Sequence, residues 1–385
     1  MSLVPMRPIL DATDTYSYAQ GAFNVNAVAQ AKAVIDIHSL FRSPAILQGA
    51  DLANGFMGGR KDFQNATIED KIKGAANIAK AVKQFALDAP IPVALHLDHG
   101  KNMESVKAAI EGGYTSVMID GSSLPLEQNI ELTREVVTYA HPLGVTVEGE
   151  LGVLAGVEDH VFSETSTYTN PLDAIRFLKA TKVDALAISY GTQHGANKGK
   201  DVHVRREIAI AVKECMRHEH IHAILVSHGS STVPQNVVAD INALGGDIKD
   251  TGGINIDELM EVSHLGIGKI NVDTDIRLFV TRAIREYFLE KASRRTNPEI
   301  KAVWDLMEAK PSAFDPRYYM TPLMETMMFG SIPNEGVAEI VERMRRGVME
   351  AVGILIVKFG SVDKAEKVEV KTLEQMAEFY RKEGI

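Results

Sequence analysis

Down its first 275 positions the chain alternates between two patterns. Short runs rich in β-branched and other apolar residues are each followed by a longer stretch whose apolar residues fall three and four apart. The runs are GAFNV (21–25), PAILQ (44–48), PVALHL (92–97), TSVMID (115–120), VTVEGEL (145–151), DALAISY (184–190), HAILVSHG (222–229) and GKINVDTD (268–275). Such runs read as strands, while SVKAAIEGG (105–113) and DAIRFLKA (173–180) carry the spacing of amphipathic helices. Eight strands alternating with helices predict a parallel α/β sheet, and eight is the number that closes a TIM (β/α)8 barrel. An open doubly wound sheet would want a glycine-rich fingerprint after its first strand, and GAFNVNA is not one.

Beyond position 276 the pattern changes. DIRLFVTRAIREYFLEKASRR reads as a long amphipathic helix with a basic end, 333–355 and 371–382 as further helices, 314–322 as an irregular proline-containing segment, and SVDKAEKVEV (361–370) as a surface loop or short strand. The organisation this predicts is a barrel over 1–290 and a helical extension over 291–385 that packs on the barrel or on a neighbouring subunit. The opening residues MSLVPMRPIL lack the apolar centre of a signal peptide, and those before Met6 are set aside from the fold.

Polar residues gather where the strands end. Asp98 and His99 follow strand three, Glu148 and Glu150 lie on strand five, His194 follows strand six, His228 ends strand seven, and Asn271 and Asp273 lie on strand eight. A barrel brings strand C-termini to one face, where sites in this fold sit, so these sequence-distant groups become neighbours.

Composition narrows the chemistry. A net charge of −10 gives no footprint for nucleic acid, and an anionic substrate would need a local positive site. No apolar run approaches the roughly 20 residues of a membrane span. The one cysteine, Cys215, excludes a disulfide framework and a multi-cysteine zinc site; a reduced, cytoplasmic setting fits it. A metal would therefore be held by His, Asp or Glu. His99, His194 and His228 each end or follow a strand and each precede a glycine, and three protein ligands with one open position is the pattern of catalytic zinc. His218, His220 and His222 look like ligands but fall at a helix end on the opposite, stability face. His96 alternates with Asp98 and reads as a hydrogen-bonded barrel residue.

In order along the chain, GAFNVN, LHLDHG, VEGELG, GTQHGANKG, LVSHGSSTVPQ, GKINVDTDIR, AFDPRYY and KTLEQMAEFY resemble the class II (zinc-dependent) fructose-bisphosphate aldolases of type B, in their longer-tailed bacterial branch. The resemblance implies a lyase that cleaves fructose 1,6-bisphosphate into dihydroxyacetone phosphate and glyceraldehyde 3-phosphate through a metal-stabilised enediolate. It implies one Zn2+ held by His99, His194 and His228, with Glu150 able to approach it. Asp98 would act as acid/base on the C4 hydroxyl, and Glu158 as the proton-transfer glutamate on the loop after strand five. Gly195, Gly229, Ser231, Asp273 and Thr274 would hold one phosphate, with a monovalent cation (Na+ or K+) near Gly195. Asn24 and Asn271 would contact substrate, Lys198 would lie near the phosphates, and Arg317 would reach a neighbouring subunit's second phosphate in a homodimer or homotetramer.

There are departures. Ala50 stands where the family usually has Ser, Asn197 replaces a common Tyr, and Ser189–Tyr190 replaces a small apolar pair. Tagatose or sedoheptulose bisphosphate therefore stay open as substrates, as does a degenerate barrel acting as a binding protein. A metal-dependent hydrolase on the same barrel is disfavoured because strand one has no histidine. A Schiff-base aldolase is disfavoured because strand six has no lysine and Lys269 begins strand eight, away from the site.

Overall fold

The computed structural model describes residues 3–158, 161–163, 166–196 and 204–384, excepting the side chains of 157, 158 and 161–163. Eight parallel strands close into a barrel: Gln20–Asn24 (β1), Ala45–Ala50 (β2), Val93–Gly100 (β3), Ser116–Ile119 (β4), Thr146–Leu151 (β5), Ala185–Ile188 (β6), Ile224–Ser227 (β7) and Ile267–Val272 (β8). β8 pairs back onto β1, with Ala22 opposite Asn271, so no sheet edge is left open. Closure buries both faces of every strand, which is why the strands read as short apolar runs.

Outside the strands, helices such as Met103–Gly112 and Pro171–Thr181 bury one stripe and expose the other. Each starts at an asparagine whose side chain accepts from a backbone amide of the first turn: Asn102 from Ser105, Asn170 from Leu172.

The N-terminus departs from the sequence expectation. Leu3, Val4 and Met6 are buried, and the Val4 amide donates to the Val93 carbonyl at 2.9 Å. With the helix Arg7–Tyr16 they plug the base of the barrel, packing Val4, Met6, Ile9 and Leu10 against Ile46, Ala94, Ala185 and Val226. The segment set aside as outside the fold is part of its core.

The C-terminal helices pack on their own barrel. Glu335–Lys358 lies along Thr274–Glu290 and Val28–Leu40. Gly347 allows the close approach, since a Cβ there would stand 2.8 Å from the Phe279 carbonyl oxygen. The last helix, Leu373–Glu383, docks under the barrel, its Tyr380 ring stacked on His141 at 3.8 Å. A helix at Pro298–Ala309 was not anticipated, although Asn297 caps it by accepting from the Glu299 amide. No helix among the described residues is long and apolar enough to cross a membrane.

Candidate metal and substrate site at the barrel mouth

Strand geometry alone would separate Asp98 from His99, because successive side chains leave a strand on opposite faces. β3 breaks that rule where it matters. Its register with β4 shifts between Leu97 and Gly100, and His99 takes φ +47°. A bulge with a left-handed residue re-aims a side chain, and here both residues reach the mouth. The His99 ring then lies 4.7 Å from that of His228 and 5.2 Å from that of His194, with 6.4 Å between His194 and His228. Gly229, after His228, sits at φ +60° against Gln193, where a Cβ would come within 2.6 Å of backbone; only glycine lets the two loops meet.

The contacts are specific. His99 Nε2 and His228 Nδ1 are 3.0 Å apart. Two nitrogens bound tetrahedrally to zinc at roughly 2.0–2.1 Å would be about 3.4 Å apart, so these two atoms stand close to the spacing a shared ion needs. On its other side His99 Nδ1 faces Asp120 at 3.3 Å and Glu150 at 3.9 Å. Among the described residues, the groups of three whose candidate donor atoms all lie within 4.8 Å of one another are Asp98, His99 and His228, and His99, Asp120 and Glu150. His194 flanks both and belongs to neither.

The electrostatics favour a cation. Burial pushes the Glu150 carboxyl well up, and neighbouring Asp120 pushes it further. One Glu150 oxygen is buried with no hydrogen-bond partner. Burial works against a charged His99, yet Asp98, Asp120 and Glu150 overcome it and hold its pKa well above the usual range. Imidazoles converging amid surplus buried carboxylate fit a divalent metal.

Behind this face lies a layer of positioning contacts. Both Asp98 oxygens accept side-chain amide hydrogen bonds, from Asn24 and from Asn271, each at 3.0 Å, and Gln48 donates to Asn24 at 2.8 Å. Glu148 lies 2.8 Å from His228 Nε2 and accepts from Lys269 Nζ at 2.9 Å. Burial raises the Glu148 carboxyl, but the Lys269 ammonium and His228 outweigh it and keep it well below the carboxylate range. Lys269 corrects an expectation: rather than facing away, it points into the barrel and also donates to Asn271 at 2.7 Å. Asp120 is absent from the residues that the sequence places at the site, and Glu148 is among them but without a role. Asp120 was findable, since it ends strand four as Asp98 ends strand three. His96 is hydrogen-bonded to Ser116 at 2.8 Å, as expected of a structural residue. His222 pairs with Asp11 at 2.9 Å, partly exposed near the barrel base.

Beside the mouth is a cavity of about 220 Å3 whose walls include Gly195, Asp273, Thr274, Arg277 and Arg317. Thr274 opens the helix Thr274–Glu290, so first-turn amides and the positive end of the helix dipole lie at this cavity. Arg277 pairs with Asp273, and Arg317 with Asp315 at 2.8 Å. Arg317 is 2% exposed within the single chain, lies over the Phe63 ring at 4.7 Å and lines this cavity. Ser231 is buried on the loop after β7. Glu158 ends the first strand of a hairpin, Gly156–Glu158 with Val161–Ser163, and Gly156 bridges to His194. The Glu158 side chain and the whole of Lys198 lie outside the described residues.

Comparison with known proteins adds to this geometry. Residues 4–330 match the family described as "Fructose-bisphosphate aldolase class-II". A fructose-bisphosphate aldolase of Giardia intestinalis is 34% identical over 382 residues, covering 99% of this chain and all of the relative. One from Thermus caldophilus is 36% identical over 341 residues, covering 86% and 99%. Among solved structures, the YdjI aldolase from Escherichia coli K12 superposes with a TM-score of 0.62 at 25% identity, covering 94% of this chain and 99% of that one.

Proposed function

The chain belongs to the class-II fructose-bisphosphate aldolase family, and from that premise we propose that it cleaves fructose 1,6-bisphosphate reversibly into dihydroxyacetone phosphate and glyceraldehyde 3-phosphate. The observation that carries the reading is the pair of imidazole nitrogens, on His99 and His228, 3.0 Å apart within a ring of buried carboxylates. His99, His228 and His194 would hold a zinc ion, with Glu150 within reach. When bound, such an ion polarises the ketone and takes up the charge left as the carbon–carbon bond breaks, an effect worth several kcal/mol.

The chain's own residues supply the rest. Asp98 accepts the proton of the C4 hydroxyl as the C3–C4 bond opens; the amides of Asn24 and Asn271, one on each oxygen, fix its direction. Glu158, at the end of its hairpin strand, returns a proton to C3 of the dihydroxyacetone half. In condensation both transfers reverse. First-turn amides at Thr274 and the hydroxyls of Ser231 and Thr274 receive one phosphate, with Gly195 and Gly229 allowing close backbone approach. A monovalent cation near Gly195 and a cytoplasmic homo-oligomer complete the reading. In that oligomer Arg317 would reach a neighbouring subunit's second phosphate, and Lys198 would lie near the phosphates.

The deciding experiment is a coupled aldolase assay across ketose bisphosphates, with and without chelator. The reading predicts turnover of fructose 1,6-bisphosphate that vanishes on chelation and survives borohydride. Turnover indifferent to chelation and lost to borohydride would sink it. A second reading, a different ketose bisphosphate, is favoured by Ala50. It lies in register with Asp98 on the adjacent strand, and puts a methyl where a hydroxyl would read the sugar.

A further inference from the structure

The helix Glu335–Lys358 encloses a second cavity, of about 370 Å3, against the outside of the barrel. Ligand pockets run from roughly 300 to 1,000 Å3, so this one would hold a molecule of modest size. Its apolar walls are Ile254, Ile256, Phe279, Ile354 and Leu355. Its inner wall is the segment from Thr232 to Pro234, the continuation of the loop that carries His228 and Ser231.

That inner wall is held in one conformation. Val233 has φ +46°, an unusual backbone for a β-branched residue. The Asp275 carboxylate secures it, accepting from the Thr232 amide at 2.9 Å, the Thr232 hydroxyl at 2.8 Å and the Val233 amide at 2.8 Å. A pocket wall fixed before a ligand arrives lowers the ordering cost of binding. Asp275 also borders the cavity, but its carboxylate is turned onto the loop. Lys358 is different. It is half-buried at the cavity, and no carboxylate pairs with it among the described residues. The cavity thus presents apolar walls, a carboxylate engaged by the Thr232 and Val233 groups, and one cation that no carboxylate pairs among the described residues.

We propose that this cavity binds a small anionic amphiphile: an apolar chain or ring bearing one carboxylate or sulfonate, its head on Lys358 and its body between Phe279 and Ile354. Charge complementarity selects this class over neutral or cationic molecules of the same shape, and the site is separate from the barrel mouth.

The test is fluorescence titration of the full chain with 1-anilinonaphthalene-8-sulfonate, followed by displacement with octanoate, octanol and octylamine. The proposal expects saturable binding near one dye per chain and displacement by octanoate well ahead of octanol and octylamine. Lys358→Glu should weaken dye and octanoate by about tenfold, since the reversal removes one ion-pair attraction and adds a repulsion of similar size. Ile354→Glu, at a half-exposed position whose change leaves the core alone, should weaken them at least as much. Absence of saturable binding, equal displacement by octylamine, or unchanged affinity in both variants would each overturn it. So would dye binding that appears only on dilution to monomer, which would assign the groove to a second copy of the chain.

Discussion

At the base of the barrel, the buried Asp184 carboxylate accepts from the Arg7 guanidinium at 2.6 Å and the Val147 amide at 2.7 Å, and lies 3.0 Å from His141 Nε2. At the mouth, four acidic residues (Asp98, Asp120, Glu148 and Glu150) surround the histidines with Lys269 as their fixed buried cation, and one Glu150 oxygen is left without a partner. The two clusters are built from the same residue types and are buried alike, apart from the partly buried Asp120. At the base both oxygens of the carboxylate are paired, tying the N-terminal helix, the start of β5 and, through the His141–Tyr380 stack, the C-terminal helix into one piece, although His141 Nδ1 and the Tyr380 hydroxyl have no partner of their own. The mouth stays open to a positive charge from outside the chain. Buried charge that is fully paired holds a fold together; buried charge left over marks where a ligand completes the pairing.

The sharpest way to break this comparison is to remove one member of each cluster and see which property fails. His99→Ala should abolish bound divalent metal, read by elemental analysis, and cut aldol cleavage by roughly a thousandfold or more, since several kcal/mol of charge stabilisation go with the ion. With metal removed from both proteins, its unfolding midpoint should stay close to that of the wild type. Asp184→Ala should do the reverse: Arg7 keeps Asp11 at 2.8 Å, but taking one partner out of a buried ion pair that also receives the Val147 amide costs about 3–5 kcal/mol, measured by urea denaturation, while turnover of the folded fraction stays within twofold. If Asp184→Ala silenced turnover in folded protein, the division of labour between the two ends would be wrong.

How much of this was legible in the sequence follows the same division. Strands were readable because burial on both faces writes a continuous apolar run; TSVMID, for example, contains β4 at Ser116–Ile119. Residues at strand ends were readable because the barrel gathers them whatever their order in the chain. Two site residues escaped for different reasons. Asp120 obeys the strand-end rule and was passed over. Lys269 reads as facing away when its depth along β8 alone is weighed, yet period two points Lys269 the same way as Asn271, which lies at the mouth. The base was less legible. Val4 meets Val93 and Arg7 meets Asp184 across long stretches of chain, and nothing local in MSLVPMRPIL announces that it plugs a barrel.

Lys269 offers a smaller test, because it acts on the open cluster from behind. Lys269→Met would remove the ammonium that holds the Glu148 carboxylate ionised beside His228 Nε2. Partners that orient a metal-binding histidine typically matter 10–100-fold in metal affinity. Competition of the purified protein against a zinc-chelating dye should show a loss of about that size, with His228→Ala losing far more. An affinity unchanged by Lys269→Met would mean that the ammonium serves only to neutralise Glu148.

The smallest expected effect lies in acid, at the closed end. Burial alone would raise the Asp184 carboxyl, but His141 and Arg7 with their hydrogen bonds outweigh it and bring it down from 3.8 to about 2. As pH falls below about 4, the unfolded chain therefore takes up this proton before the folded one does, and folding is penalised. The contribution is complete above pH 4 and is lost as pH falls through about 2; a shift of some two units corresponds to about 2–3 kcal/mol. Asp184→Asn lacks that proton. The stability gap between wild type and Asp184→Asn, followed by urea unfolding at successive pH values, should be flat from pH 7 to 5 and narrow steadily toward pH 2. A gap constant down to pH 2 would show that Asp184 titrates alike in both states, and the base would then owe its rigidity to packing around Tyr380 rather than to its closed ring of charge.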